Sequence, residues 1–235
     1  MKYMMVISYD GSKFHGFQRQ NNIRNVQGYI EENLSKILNE KIIIKGSGRT
    51  DAGVHAYYQV VHFETNKDIH HLKNKLNNIL EDIKVKKIKK VDINFHARHS
   101  VKSKIYLYKI DLSNKRDSNY YLKVNYKIDI NKMKDASKVF IGTHDFENFV
   151  AGFREDYTST INKIKFYKFN KILYIKFKGY GFYRYMVRNL VGSLLEVGKG
   201  KLSIEELNDI LNNKDNKRRL PTSSPNGLYL YKINY

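Results

Sequence analysis

The chain has no cysteine among its 235 residues. Without cysteine there are no disulfide bonds, no cysteine nucleophiles and no thiolate metal sites. The chain also lacks an uninterrupted run of about 18 apolar residues, so we expect no transmembrane helix. Its first residues, MKYMMVISYDG, lead directly into a strand and a turn, without the small-residue cleavage site of a signal peptide. We therefore expect a cytoplasmic protein without membrane attachment.

Acidic residues are also few, because 23 Asp and Glu stand against 43 Lys and Arg, for a net charge of +20. A protein this basic attracts polyanions, of which nucleic acid is the commonest. The 19 tyrosines and 12 phenylalanines favour RNA, whose exposed bases stack on aromatic rings. Two other interpretations stay open. The lysines could form only a solvated surface, or they could face an anionic lipid, although no basic amphipathic anchor stands out.

Hydrophobic periodicity predicts two successive groups of elements, each in the order β-α-β-β-α-β. In the first group we predict helices beginning near Asn25 and Asp68, and strands at 2–9, 41–45, 57–64 and 83–91. In the second group we predict helices at 130–140 and 183–197, and strands at 104–112, 163–169, 172–178 and 228–235. Ser203 and Glu206 form a capping box that opens an additional helix.

This element order is that of the split βαβ, or ferredoxin-like, arrangement. No residue-level repeat relates the two groups, so the parallel is one of element order alone. We predict an α+β fold of two ferredoxin-like halves, residues 1–98 and 99–235. The connection near residue 98 has no Gly-, Pro- or Ser-rich linker, so we expect the halves to be packed together with an active-site cleft between them.

The most informative segment is GSGRTDAGVHAYYQVVHF, which begins at Gly46. Three glycines surround one carboxylate, that of Asp51, between two strand-like segments. Glycine lets the backbone approach a ligand closely, at a cost in conformational entropy. A hairpin turn in which Asp51 bonds to its own backbone explains the same pattern. A phosphate-binding P-loop fits less well, because the Gly-Lys-Ser/Thr ending is absent.

GRTDAGVHA followed by QVVHF resembles the signature of the TruA family of tRNA pseudouridine synthases. Other motifs resemble the same family over nearly the whole chain, namely YDGSKFHGFQRQ with VQ, FHARHSVKSKIYLY, GFYRYMVRNLVGSLLEVGKG and SSPNGLYLYKINY. Phe17 stands where the family has Trp, and the segment Leu80-Glu81-Asp82-Ile83 lacks a usual proline. These departures concern peripheral RNA contacts rather than the catalytic group.

The resemblance implies that Asp51 is the catalytic residue and that Tyr106 stacks on the target uracil. Tyr108 lies two residues further on the same strand face and would take that role if the register differs. Arg188 lies in an apolar helical stretch, where a guanidinium needs a carboxylate or many acceptors. A structural ion pair with any acid satisfies that need, and the resemblance makes Asp51 the partner.

The resemblance further implies that Arg49 helps to open the space for the base. Gln18 and Arg19 suit phosphate or ribose contacts. Together with Thr50, His55 and Arg98, these residues complete the predicted RNA- and substrate-binding set. Five histidines lie near motif segments, but the cysteine ligands and helical His spacings of zinc sites are absent, so we predict no metal.

The implied activity is conversion of uridine to pseudouridine at positions 38, 39 and 40 of tRNA, in the anticodon stem-loop. The reaction needs no cofactor, and family members act as homodimers. A non-catalytic RNA-binding or RNA-chaperone protein on the same scaffold is the alternative from another class. A synthase that acts on a different RNA is the alternative within the enzyme class.

Overall fold

The computed structural model describes residues 1–213 and 215–235. The chain forms two compact units, each of which contains strands and helices. Unit 1 comprises Met1–Lys102 together with Tyr229–Tyr235, and unit 2 comprises Ser103–Leu228. The predicted α+β class is confirmed. The units differ from the predicted halves, 1–98 and 99–235, chiefly in the last strand, which belongs to unit 1.

Unit 1 contains a sheet in the order β4-β1-β3-β10, and a short strand, β2, also pairs with β3. β1 is antiparallel to β3 and β4, whereas β10 runs parallel to β3. The strands are β1 (Lys2–Tyr9), β2 (Lys45–Gly46), β3 (His55–Glu64), β4 (Ile83–Lys90) and β10 (Leu228–Asn234). The helices are α1 (Val26–Leu38) and α2 (Leu72–Ile79).

Helix α1 begins where the sequence predicts, because the side chain of Asn25 accepts a hydrogen bond from the Gly28 N–H at 2.8 Å. Such a cap satisfies one of the amides that a helix start leaves without a partner. The apolar side chains Val26, Ile30, Leu34 and Leu38 of this helix are buried. Each fully buried aliphatic side chain of this kind contributes about 1.5–3 kcal/mol.

Two predicted boundaries in unit 1 are wrong for local reasons. The strand predicted at 41–45 is reduced to β2. Side chains of helix α1 accept hydrogen bonds from the backbone amides of this segment, so those amides do not pair with another strand. Ser35 Oγ accepts from Ile42, and Glu31 Oε1 accepts from Ile44. Helix α2 begins at Leu72 rather than near Asp68, whose carboxylate accepts from the His70 N–H and closes a turn instead.

Unit 2 contains an antiparallel sheet in the order β5-β9-β8-β7, with a short parallel strand, β6, beside β5. The strands are β5 (Ser103–Asp111), β6 (Leu122–Lys123), β7 (Gly142–Asp145), β8 (Thr158–Phe169) and β9 (Ile172–Gly179). The helices are α3 (Ile130–Ser137), α4 (Met186–Gly198) and α5 (Ile204–Asn212). β6 and β7 were not predicted.

Several local signals in unit 2 are confirmed. The capping box of Ser203 and Glu206 opens α5. Asn170 and Lys171, the two residues between the predicted strands 163–169 and 172–178, join β8 to β9 with φ values of 46° and 59°, as a two-residue hairpin turn of the primed type requires. Helix α4 begins later than predicted, at Met186, because Tyr185 before it has a positive φ of 63°. None of the helices described has the length and apolar character needed to span a bilayer.

Candidate active site

Asp51 lies on the segment of residues 47–54 between β2 and β3, here called the Asp51 loop. Backbone hydrogen bonds hold this loop against the segment 14–17: the Phe17 N–H donates to Thr50 O at 3.0 Å, and the Gly53 N–H donates to Phe14 O at 3.4 Å. A bond across the loop, from the Val54 N–H to Asp51 O at 3.1 Å, closes it. The Asp51 side chain is partly exposed. Main-chain hydrogen bonds therefore hold Asp51 at a partly exposed position of the loop.

Gly16 makes the contact between the two segments sterically allowed. Its φ is +90°, and a Cβ at this position would lie 2.9 Å from Thr50 O. The same segment is tied to the start of α1, because Gly16 O accepts from the Val26 N–H and Phe17 O from the Gln27 N–H. Backbone hydrogen bonds thus link the Asp51 loop to the segment 14–17, and further backbone hydrogen bonds link that segment to helix α1.

Buried polar side chains hold the first half of the Asp51 loop. The hydroxyls of Thr50 and Tyr9 are hydrogen-bonded at 2.8 Å, and burial raises the pKa of Tyr9 to about 12. Near the beginning of the loop, Ser47 Oγ donates to Gln59 Oε1 at 2.7 Å, and Gln59 Nε2 donates to Gly48 O at 2.8 Å. Sequence reasoning missed Tyr9, Gln59 and Gly16. All three nonetheless stand within the quoted motifs, Tyr9 and Gly16 in YDGSKFHGFQRQ and Gln59 in QVVHF.

The predicted binding residues of unit 1 fall into two groups. Gln18, Arg49 and Arg98 are exposed and available to a ligand. Arg19 is also largely exposed, but it forms an ion pair of 2.9 Å with the buried carboxylate of Glu31. It therefore links the segment after Phe17 to helix α1.

The other two predicted residues point inwards. The Thr50 side chain is buried and bonded to Tyr9. His55 is buried at the start of β3, where its Nδ1 accepts from the Gly11 N–H at 3.0 Å and its ring stacks on Tyr229 at 4.5 Å. Both residues shape the surroundings of the Asp51 loop.

In unit 2, strand β5 carries both candidate tyrosines on the face that packs under the helices. Tyr108 is fully buried, and its hydroxyl donates to Ser224 O at 2.6 Å. Burial raises the pKa of Tyr108 well above its usual range. Tyr106 retains a small exposed fraction of 7% and meets Phe182 edge to face at 5.1 Å. The two rings share a face but differ in accessibility.

Arg188 lies in the first turn of α4. Its Nε donates to Ser223 O at 2.8 Å, and its own carbonyl accepts from the Ser223 N–H at 3.2 Å. The guanidinium carbon lies 4.5 Å from the ring centre of Tyr185, a cation–π distance. Gly192 lets the Pro221 segment approach the helix, because a Cβ there would meet Pro221 O at 1.7 Å. Side-chain contacts therefore orient the guanidinium.

Three of the histidines near the motifs, His62, His96 and His99, form a separate group in unit 1. The ring of His96 lies 4.7 Å from that of His62 and 4.3 Å from that of His99. Burial, together with the charges of His96, Lys2 and Lys45, lowers the pKa of His62 to about 4. The pKa of His96 is lowered as well, mainly by burial. Within residues 1–213 and 215–235, no cluster of three or more His, Asp or Glu side chains could hold a metal ion.

A family model described as tRNA pseudouridine synthase matches residues 5–100 and 136–235. The chain therefore belongs to the tRNA pseudouridine synthase family, as its motifs predicted. A protein of Pseudothermotoga lettingae named tRNA pseudouridine synthase A is 39% identical over 245 residues, which cover 100% of this chain and 99% of that one. The protein of the same name from Streptococcus pyogenes is 41% identical over 248 residues, with coverages of 100% and 99%.

Similarity to solved structures is much weaker. A chain of a Cbf5-Nop10-Gar1 complex superposes with a TM-score of 0.39 at 15% identity, over 82% of this chain and 45% of that one. This chain thus spans less than half of the solved one. A superposition this loose supports no functional argument.

Proposed function

We propose that the protein isomerises uridine to pseudouridine in the anticodon stem-loop of tRNA, at the positions 38, 39 and 40 implied by its motifs. The N1–C1′ glycosidic bond breaks, the uracil turns, and a C5–C1′ bond forms. C5 loses its proton and N1 gains one, so atoms and electrons balance without an oxidant or reductant. The chemistry therefore requires no redox cofactor.

The observation that carries the proposal is that Asp51 is partly exposed on a loop fixed by main-chain hydrogen bonds. A carboxylate in this setting can attack the substrate covalently or stabilise a ribosyl cation. Preorganisation favours either role, because a group already in place needs no reorientation during the reaction. Full-length similarity to proteins named tRNA pseudouridine synthase A supports the choice of substrate.

The remaining roles follow the family motifs. Arg188 keeps Asp51 ionised and oriented, since a nearby cation favours the charged form of a carboxylate. Tyr106 stacks on the uracil, and its residual exposure supports it over the enclosed Tyr108. A stacked uridine is out of reach of a protein side chain, so the target base must flip out, at a cost of a few kcal/mol. Arg49, exposed beside Asp51 on the same loop, occupies the space that the base leaves.

The exposed residues Gln18 and Arg98 and the pair-forming Arg19 contact the RNA backbone. Thr50 and His55 support the Asp51 loop from inside. The net charge of +20 supplies binding that is independent of sequence and sensitive to salt. The proposal includes a homodimer, as the family resemblance implies, and a cytoplasmic location, as expected from the sequence. Sedimentation velocity tests the dimer.

The test measures tritium released from tRNA that contains 5-tritiated uridine, because the C5 proton leaves during isomerisation. The wild-type protein should release tritium, and carbodiimide mapping should place pseudouridine at positions 38, 39 or 40. The variant Asp51→Asn should lose about 10⁴-fold or more in rate. Its tRNA affinity should stay within about threefold, because one carboxylate contributes little to phosphate binding.

Asp92→Asn is the matched control, since it makes the same charge change at an exposed turn where Oδ1 accepts from Asn94. It should retain full activity. Tritium release by Asp51→Asn would refute the catalytic role. An unmodified protein that binds tRNA but releases no tritium would instead be a non-catalytic RNA-binding protein. Pseudouridine found only in another RNA, mapped in cells with and without the protein, would correct the substrate.

A further inference from the structure

The sheet of unit 2 has two chemically different faces. On β9, alternation directs Leu173, Ile175 and Phe177 to one side, where all three are fully buried. The opposite side carries a set of basic and aromatic residues that we call the lysine face. Its members are Lys163, Lys165 and Tyr167 on β8, and Tyr174, Lys176 and Lys178 on β9. Tyr106 pairs with Phe177 and so lies on the other side of this sheet.

The register between β8 and β9 places like charges directly opposite each other. Lys163 pairs with Lys178, and Lys165 pairs with Lys176. Like charges in such cross-strand positions destabilise a sheet, typically by a few tenths of a kcal/mol each. On the same side of the sheet β5 carries one acidic residue, Asp111, which lies opposite Ile172 and is fully buried. The chain thus concentrates positive charge on this face at a cost in stability.

Aromatic rings lie next to these charges. Tyr167 pairs with Tyr174 in the adjacent row, and the two rings stack at 4.7 Å with an angle of 4°. Tyr167 is 41% exposed, and Lys176 Nζ lies 5.2 Å from the centre of its ring. An exposed aromatic ring beside cations on an open sheet is a platform on which unpaired RNA bases stack.

The positive charge of the lysine face favours RNA over a second copy of the chain as its ligand. A second copy of the chain docked here would bring lysines against lysines, which repel. A polyanion with flat, stackable groups complements both the lysines and the tyrosine, and RNA has both features. We propose that the lysine face binds RNA outside the active site, with phosphates over Lys163, Lys165, Lys176 and Lys178 and an unpaired base on Tyr167. The identification of that RNA as part of the tRNA substrate rests on the proposed function.

The experiment compares two variants with the same change in net charge. In the face variant, Lys163, Lys165, Lys176 and Lys178 are each changed to Gln. In the control variant, four exposed lysines of α2 and α3 are changed to Gln, namely Lys73, Lys75, Lys132 and Lys134. The affinity of each for a fluorescein-labelled tRNA transcript is measured by anisotropy between 50 and 200 mM KCl.

Each lost phosphate contact lowers the slope of log affinity against log salt concentration by about 0.7–0.9. The face variant should therefore lose roughly three units of slope and bind at least about tenfold more weakly than the control at 100 mM KCl. Tyr167→Leu should weaken binding about fivefold or more with the slope unchanged, and Tyr167→Phe should restore it. Equal affinities and slopes for the face and control variants would overturn the proposal.

Two further measurements separate this proposal from its alternatives. Single-turnover tritium release at saturating enzyme should be unchanged in the face variant, because the lysines do not touch the reacting uridine. If the unmodified protein releases no tritium but the face variant still loses RNA affinity, the proposed activity fails and the surface stands. A changed sedimentation coefficient of the face variant, with RNA affinity equal to that of the control, would assign the face to a second copy.

Discussion

The Asp51 loop of unit 1 and the start of α4 in unit 2 hold their functional groups by different means. Main-chain hydrogen bonds from Phe17 and Gly53 fix the loop, so the Asp51 side chain takes no part in those bonds. Arg188, in contrast, is fixed through its own side chain, by Ser223 O and the ring of Tyr185. Replacement of the carboxylate should therefore leave the main-chain bonds of the loop in place, whereas replacement of the guanidinium removes the contacts that hold it.

The largest loss of stability in this comparison is expected for Arg188→Ala. Loss of one preorganised cationic group costs about 10²–10³-fold in rate. The same change removes a charge-assisted hydrogen bond and a cation–π contact, so the free energy of unfolding should fall by about 1.5–3 kcal/mol. Tritium release and urea unfolding measure the two effects.

Arg184→Ala is the control for Arg188→Ala, since Arg184 also lies near the Tyr185 ring, at 5.1 Å, but is exposed. It should change stability by less than about 0.5 kcal/mol. Asp51→Asn should lose activity, and its loss of unfolding free energy should be smaller than that of Arg188→Ala, because the main-chain bonds of its loop persist. An unchanged unfolding free energy for Arg188→Ala would remove the contrast between the two regions.

The next effect is expected from Gly16→Ala, which attacks the backbone support of the Asp51 loop. The new Cβ meets Thr50 O at 2.9 Å in addition to the strain of a φ of +90°. We expect a loss of about 1–3 kcal/mol in the free energy of unfolding, and a displaced loop with reduced activity. Gly200→Ala is the control for backbone strain without a steric contact, because Gly200 has a φ of +74° and no atom lies within 4 Å of the added Cβ. Equal losses in both variants, with full activity, would show that the contact with Thr50 O does not position Asp51.

The parts of the fold that follow from sequence are those set by neighbouring residues. The Asn25 cap, the Ser203–Glu206 box and the Asn170-Lys171 turn each depend on side chains or φ preferences within a few positions. The parts that failed depend on partners far away in the chain. The strand predicted at 41–45 shrank because Glu31 and Ser35 took its amides, and pairing of β10 with β3 placed the last strand in unit 1.

The residues of the candidate site likewise divide into those that the sequence indicated and those that only the fold brings together. The Asp51 loop was visible because its glycines and Arg-Thr-Asp triplet are contiguous in the chain. Its supports were not visible, because Tyr9 and Gly16 reach Thr50 only after β1 and the segment 14–17 have folded against the loop. The lysine face was hidden for a similar reason. Composition gives the charge of +20, but only the β8–β9 register places lysine opposite lysine.

The smallest effect concerns the hydrogen bond between Tyr9 and Thr50. Burial raises the pKa of Tyr9 from 10.0 to about 12, so between those values the unfolded chain has lost a proton that the folded chain keeps. The stability that the neutral phenol contributes is therefore complete below pH 10 and is lost as the pH rises towards 12. At pH 11 the unfolded state gains about 1.4 kcal/mol, roughly the value of the hydrogen bond.

Tyr9→Phe should thus be about 1 kcal/mol less stable than the parent at pH 8 and about equally stable at pH 11, as measured by urea unfolding. Thr50→Val removes the same hydrogen bond but keeps the phenol, so its deficit should not shrink as the pH rises. A deficit of Tyr9→Phe that is the same at both pH values would mean that this phenol is not enclosed beneath the Asp51 loop. In that case the backbone bonds of Phe17 and Gly53 and the side-chain bonds of Gln59 would hold the Asp51 loop without Tyr9.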